Sequence, residues 1–276
     1  MSVVQSSTQS TIDSIASHTI VEIKDLQLDY INALDATRHT AVKALSLNVH
    51  QGEFLCVVGP SGCGKSTLIS AIAGFLKPVS GKLLMNGQAI TKPGMDRGVV
   101  FQEYALWPWL RVIDNVAFGL KMKGMGRAQR HSIARQYLKM TNLLEAEKKY
   151  PHELSGGMKQ RVAVARTLAN APDIMLMDEP FAAIDAQTRL NLQEELIRIW
   201  SAQTVTVVFV THSVEEAVFL ADRVVVLSSG PGHVVADLPV PIPRDKRTWS
   251  DINSNPDFLR IKDQIYGLIR QTSKVD

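Results

Sequence analysis

The chain has 276 residues, enough for one large domain or a domain carrying an insertion. It is 45% hydrophobic and 21% charged, an ordinary globular balance, and its formal net charge of +3 argues against a protein that holds nucleic acid by bulk electrostatics. Two cysteines, Cys56 in an apolar run and Cys63 in a glycine-rich loop, suggest reduced cytosolic thiols rather than a disulfide framework or a metal site.

Residues 1–18 are rich in Ser, Thr and Gln, without a basic start or an apolar stretch, and read as a mobile tail rather than a secretory signal. Val21–Tyr30 and Ala44–Val49 alternate apolar and polar residues as half-buried strands do, with Asn32–Thr40 a polar loop between them. Glu53–Val58 is a short apolar strand ending at Gly59, and a helix is predicted from Lys65 to about Phe75. Lys82–Met85 and Val99–Gln102 read as strands, and Val112 to Glu147 as helical. Ser155 opens a helix to about Asn170, and Ile174–Met177 is a fully apolar strand. Then come a helix over Gln187–Ala202, a strand over Val205–Val210, a short helix at Val214–Leu220 and a strand at Val224–Leu227. This alternation predicts an α/β core, interrupted by a helical insertion over about 103–171. The core domain is expected over 19–240. Three prolines within Pro239–Pro243 break regular structure, and an extension over 241–276 ends in an amphipathic helix at Pro256–Arg270. No run approaches the roughly 20 apolar residues that cross a bilayer. If the protein acts at a membrane, another chain supplies the spans.

The run Gly59-Pro60-Ser61-Gly62-Cys63-Gly64-Lys65-Ser66-Thr67 fits G-x-x-x-x-G-K-[ST] and sits between a predicted strand and a predicted helix, the context a phosphate loop demands. Its glycines let amides point at phosphate oxygens, and the helix start adds partial positive charge. Lys65 is expected to reach the β- and γ-phosphates of ATP, Ser66 to coordinate Mg²⁺, and Thr67 to support the phosphates. The strand from Ile174 delivers Asp178 and Glu179 to the carboxyl edge of the sheet, where ligands bind in open α/β sheets. Asp178 is placed to hold Mg²⁺, and Glu179 is a candidate general base for the attacking water.

Leu154-Ser155-Gly156-Gly157-Met158-Lys159-Gln160 adds a second anion-binding helix start, with Ser155 as cap and glycines leaving amides free. One nucleotide cannot easily need both starts from one chain. A homodimer in which this start meets the partner's γ-phosphate resolves the surplus.

With these motifs in this order, the sequence resembles the ATP-binding subunit of an ATP-binding-cassette transporter from about Ile20 to Val235, Leu154–Gln160 resembling that family's signature. The resemblance implies a P-loop NTPase core with an antiparallel β region and an inserted α-helical subdomain. It further implies that Gln102 senses Mg²⁺ and the attacking water, that His212 is the switch histidine contacting the γ-phosphate, and that Ala182-Ala183-Ile184-Asp185 lies across the dimer interface. Ala182 and Ile184 replace the family's commoner Gly and Leu. Tyr30 resembles the aromatic that stacks on adenine, and also fits a half-buried strand tyrosine.

Asp96–Gln102 with Leu106-Trp107-Pro108-Trp109, and Leu227–Val234, look like the nitrate, sulfonate and taurine importer branch. Asp114–Gly119 brings the first stretch closest to taurine and alkanesulfonate systems. Trp107 and Trp109, on an expected exposed loop, suit either docking of a permease helix or packing within the helical subdomain. The resemblance thus implies a peripheral protein on the cytoplasmic face of the inner membrane. Its partners would be a second copy of itself, two permease subunits and, indirectly, a solute-binding protein, with no nucleic acid. The competing classes are a soluble cassette ATPase of DNA repair or translation, and an exporter ATPase.

Overall fold

Strands and helices alternate as the apolar runs dictate and assemble into two sheets. The computed structural model describes residues 18–31, 37–203 and 205–272. The expected tail lies outside the described residues except for His18, as does 32–36 of the expected loop. The N-terminal half holds β1 (Thr19–Ile31), β2 (Arg38–His50), β3 (Phe54–Val58), α1 (Lys65–Ala73), β4 (Ser80–Met85), β5 (Gln88–Ala89) and β6 (Arg97–Val100). Next come α2 (Val112–Val116), α3 (Phe118–Met122), α4 (Arg127–Met140) and α5 (Gly156–Leu168). After these run β7 (Ile174–Asp178), α6 (Ala186–Gln203), β8 (Thr206–Val210), α7 (Val214–Leu220), β9 (Arg223–Leu227) and β10 (Val234–Pro239). Helices α8 (Trp249–Ile252) and α9 (Pro256–Thr272) close the described chain.

Among the described residues the antiparallel sheet has the order β2-β1-β4-β5, and the larger sheet the order β10-β9-β3-β8-β7-β6. Five strands of the larger sheet run parallel, and β10 is an antiparallel edge. Its interior strands are apolar except at their ends (Asp178, Thr206 and Arg223), as suits strands covered on both faces. The pleat still sorts their side chains. Phe54, Cys56 and Val58 of β3 join the core under α5, α6, α7 and α9, while Leu55 and Val57 join the core shared with α1 and the antiparallel sheet. A third cluster, around Val112, Val116, Leu138 and Leu154, fills the helices between β6 and β7. Helix α5 serves two cores, with Val162 and Ala165 in the third cluster and Ala163 and Leu168 in the first.

Several expected boundaries shift. Arg38–Thr40 already belongs to β2, because Asp29, Tyr30 and Ile31 pair with Thr40, His39 and Arg38. Helix α1 stops at Ala73, where Gly74 turns left-handed (φ 85°) and its N–H and that of Phe75 close onto Ala71 and Ser70 carbonyls. Strand β6 ends at Val100, the last residue paired with β7, so Gln102 lies in the following turn. The predicted helix over 112–147 is broken after Met122, where Gly124 takes a positive φ of 81°. Strand β10 was hidden by its proline, which an edge strand tolerates at its end.

The C-terminal extension packs on α7. Phe258, Ile261 and Ile265 form a buried stripe on α9, and Trp249 stacks on Phe219 at 4.2 Å. The buried Arg247 guanidinium donates to the carbonyls of Phe219, Leu220 and Ile242, and burial pulls its pKa down to about 10.

Candidate active site

Strand register gathers the predicted residues. Val57 pairs with Val210, Val210 with Asp178, and Met177 with Val100, so the loops leaving β3, β8, β7 and β6 emerge at one carboxyl edge. These loops carry Gly59–Gly64, His212, Glu179 and Gln102 respectively.

Each wall of the loop after β3 is backbone or a short side chain. A Cβ on Gly59 would lie 2.9 Å from the Leu227 carbonyl oxygen. One on Gly64 (φ +90°) would lie 2.7 Å from that of Ala41, and one on Gly232 2.1 Å from that of Cys63. The loop is thus clamped between β2 and the turn after β9, and Gly64 supplies the left-handed turn into α1. Lys65 is buried. Its Nζ donates to the carbonyls of Gly59 and Pro60, both at 2.8 Å, and meets Cys63 Sγ at 3.6 Å. Among the described residues no carboxylate forms an ion pair with it. A buried ammonium ringed by carbonyls is an arrangement completed by an anion. Burial raises the Cys63 thiol pKa and keeps it a poor nucleophile, although Lys65 pulls the other way.

Next to the loop, the Ser66 hydroxyl donates to Asp178 Oδ1 at 2.8 Å. Burial raises the Asp178 carboxyl above its ordinary pKa, partly offset by the Ser66 hydrogen bond. These two oxygens suit Mg²⁺, which takes one or two protein ligands and fills its octahedron with phosphate oxygens and water. No cluster of three or more His, Cys, Asp or Glu among the described residues offers a rival cage. Glu179 departs from the strand with φ 43° while its N–H still bonds Val210. The kink turns its carboxylate to His212, whose Nδ1 lies 3.1 Å from Glu179 Oε2.

Gln102 is exposed in the turn after β6. Sequence reasoning missed what holds this turn. Tyr104 and Ala105 adopt positive φ, and Arg166 of α5 donates to both of their carbonyls. Tyr104 also reaches across, its hydroxyl 3.2 Å from where a Cβ of Gly156 would stand. No periodicity flags these residues, because the link spans some sixty positions.

At the second helix start, Ser155 caps α5 by accepting the Met158 N–H at 3.3 Å. None of the hydrogen bonds among the described residues joins Ser155, Gly156 or Gly157 to the loop 59–67. Asp185 caps α6 through the Thr188 N–H at 3.0 Å, and that hydrogen bond holds its carboxyl below the ordinary range. Tyr30, 47% exposed, stacks on His39 with ring centres 5.5 Å apart. Trp107 and Trp109 are 37% and 68% exposed, and Trp107 also packs on Phe118.

Lys65 in its glycine cradle, beside a Ser–Asp pair and a Glu–His pair at one sheet edge, defines a phosphate-loop ATPase. The chain belongs to the ABC transporter family, whose model matches residues 42–182, and it is an ABC-type transporter ATPase. Over 254 residues it is 45% identical to the nitrate import ATP-binding protein NrtD of Synechocystis sp., covering 91% of this chain and 95% of that one. Over 254 residues it is 43% identical to the taurine import ATP-binding protein TauB of Rhizobium johnstonii, covering 90% and 97%. A dimeric ATP-binding cassette solved in a post-hydrolysis state with ADP and Pi superposes with TM-score 0.70 at 32% identity, covering 81% of this chain and all of that one.

Proposed function

We propose that two copies of this chain close around Mg·ATP and that the cycle of closure and hydrolysis drives import of a small anionic or zwitterionic solute, of the nitrate or taurine and alkanesulfonate class, through a separate permease. Buried Lys65, held by the Gly59 and Pro60 carbonyls with no carboxylate paired to it among the described residues, carries the nucleotide half of this reading. The names of the relatives, nitrate and taurine import ATP-binding proteins, carry the transport half.

In this reading Lys65 and the loop amides hold the β- and γ-phosphates. Ser66 and Asp178 hold Mg²⁺, which when bound neutralises charge on the phosphate oxygens. Glu179 takes the proton of the attacking water. His212, hydrogen-bonded to Glu179, orients that carboxylate and faces the γ-phosphate. Gln102 reports the state of this edge to the turn braced by Arg166. Ser155–Gly157 and Asp185 serve the partner's nucleotide, and Tyr30 stacks on adenine.

An open groove of about 360 Å³, lined by Phe75, Met95, Phe101, Trp107 and Phe118, runs beside the Gln102 turn. Exposed aromatic surface of this kind suits a permease segment, whose position then bears on Gln102. No helix among the described residues is long and apolar enough to cross a membrane. The two permease subunits would supply the spans, a solute-binding protein the cargo, and this chain a peripheral motor on the cytoplasmic face of the inner membrane.

Glu179→Gln tests the chemical core. It keeps the side chain's shape and removes the base, so hydrolysis falls by about 10²–10⁴ while ATP still binds. Dimer then accumulates with Mg·ATP in size-exclusion chromatography. Turnover near the wild-type rate would remove Glu179 from the base role.

A further inference from the structure

Behind His212 lies a buried polar network that the reaction described above does not use. Thr211, Glu216 and Gln193 are all buried, and they come from just after β8, from α7 and from α6. The Thr211 hydroxyl donates to Glu216 Oε2, and Gln193 Nε2 donates to Glu216 Oε1 at 2.6 Å. Thr211 Oγ1 in turn accepts the Ser213 N–H at 3.0 Å, and Ser213 Oγ accepts the Glu216 N–H at 3.2 Å. Thr211-His212-Ser213 is therefore a closed corner, with a hydrogen bond on each side of the histidine and Glu216 joining both.

Ser213-x-x-Glu216 has the form of a capping box, in which the glutamate would reach back to the cap residue's own N–H. Here Thr211 has taken that N–H, and the carboxylate reaches one residue further to hold Thr211 itself. This departure shifts the box's grip from the helix to the residue before His212. No cation forms an ion pair with Glu216 among the described residues. Arg189 and His212 act on it electrostatically without pairing with it, and Arg189 Nη2 donates instead to the Ile184 carbonyl. Burying a carboxylate without an ion pair is costly. Its two hydroxyl and amide bonds offset part of that cost, and the backbone corner they fix is the return.

We infer that Glu216 is a positioning residue: through Thr211 it fixes His212 against Glu179, and through Gln193 it ties that corner to α6, the helix capped by Asp185. The inference rests on the reading of His212 as part of the hydrolytic site. It adds that the 3.1 Å approach of His212 to Glu179 is set from behind, by a group that touches neither nucleotide nor water. Because Asp185 caps α6, a shift of the Asp185 loop reaches His212 along Gln193 and Glu216.

The experiment is a mutant cycle on the full chain, read as steady-state hydrolysis of Mg·ATP with melting temperature alongside. Glu216→Ala frees the Thr211 hydroxyl, and loss of alignment at a reacting group costs up to about 10²-fold in rate. The fall is expected in kcat, with the KM for ATP within about twofold. In a His212→Ala background the same change should cost nothing further. Glu216→Gln is expected to restore activity. Its amide oxygen can keep the Thr211 bond, and its NH₂ can donate to Gln193 Oε1, which has no hydrogen-bond partner now and becomes available when that amide turns over. If Glu216→Ala does not fold, Thr211→Val removes the same link and takes its place.

A Glu216→Ala protein at the wild-type rate overturns the inference, as does one that slows His212→Ala by the same factor as wild type. Failure of Glu216→Gln to recover more than Glu216→Ala would also count against it. Wild-type turnover by His212→Ala is a different failure, since it overturns the reading of His212 and this inference with it.

Discussion

The two glycine-flanked helix starts, at Lys65 and at Ser155, differ in how much of a site each makes by itself. Around the first, backbone lies within 3 Å of where a Cβ would stand at Gly59, Gly64 and Gly232, and a buried cation sits in the centre. At the second, Ser155 is exposed, its cap bond is 3.3 Å long, and what a Cβ would meet within 3.5 Å at Gly156 and Gly157 is only the side chains of Tyr104, Thr188 and Leu192. The same local chemistry, free amides at a helix N-terminus, is thus enclosed in one place and open in the other. Enclosure makes a binding site within one chain. In the proposed function, the open helix start, with no intrachain bond to the first, is half of a site that a second chain completes.

The largest expected effect comes from emptying the enclosed start. Lys65→Ala removes the one buried cation of the cradle. Charge-assisted hydrogen bonds are worth about 1.5–3 kcal/mol each, so losing two to the phosphates lowers ATP affinity by about 10²–10⁴. Equilibrium dialysis with Mg·ATP measures it. Near-normal affinity would show that the loop is not the phosphate site and would erase the contrast between the two starts.

Ser155→Arg attacks the open start. It leaves ATP affinity within about twofold, because the exposed residue makes no hydrogen bond to its own chain's loop, and lowers hydrolysis by about 10², the cost of losing one preorganised donor at a transition state. Dimer closure with ATP should fail with it. Mixed with the Lys65→Ala protein, it should rescue at most one composite site per dimer. Normal hydrolysis by Ser155→Arg would break the shared-site reading.

The enclosed start was legible in sequence because its motif is local, a strand, nine residues and a helix, although the walls that β2 and the turn after β9 supply are not. Asp178 and Glu179 were legible for the same reason, as the end of an apolar run. Much of the rest is held by pairs distant in sequence. Arg166 reaches the Tyr104 and Ala105 carbonyls, Gly232 abuts Cys63, and Gln193 meets Glu216. Hydrophobic periodicity carries no record of such pairs. That the Glu216 carboxylate holds Thr211 is likewise visible only in the fold. Tertiary packing also buries Arg247 against the end of α7.

The smallest effect sharpens the comparison at the open start. A Cβ on Gly157 would stand 2.7 Å from Thr188 Cγ2 and 3.5 Å from Leu192 Cδ1. Thr188 is β-branched and its N–H is tied to Asp185, so the methyl group cannot swing far, and α5 must shift by a few tenths of an ångström. In stability this strain is offset by the gain of replacing a helical glycine, about 1 kcal/mol at most, so Gly157→Ala should melt within a few degrees of wild type. Its effect falls instead on the spacing between the Ser155 start and the Asp185 cap, which in the proposed dimer both meet the partner. Hydrolysis should drop by less than about tenfold, a fraction of what full misalignment costs, with ATP affinity unchanged. Adding Thr188→Ser removes the clashing methyl while keeping the backbone bond to Asp185, and should restore the rate. A Gly157→Ala enzyme at full speed would mean that the spacing of these two helix starts is slack. A slow one that Thr188→Ser cannot rescue would place the fault in the glycine's own amide geometry, leaving the contact with α6 without a part in it.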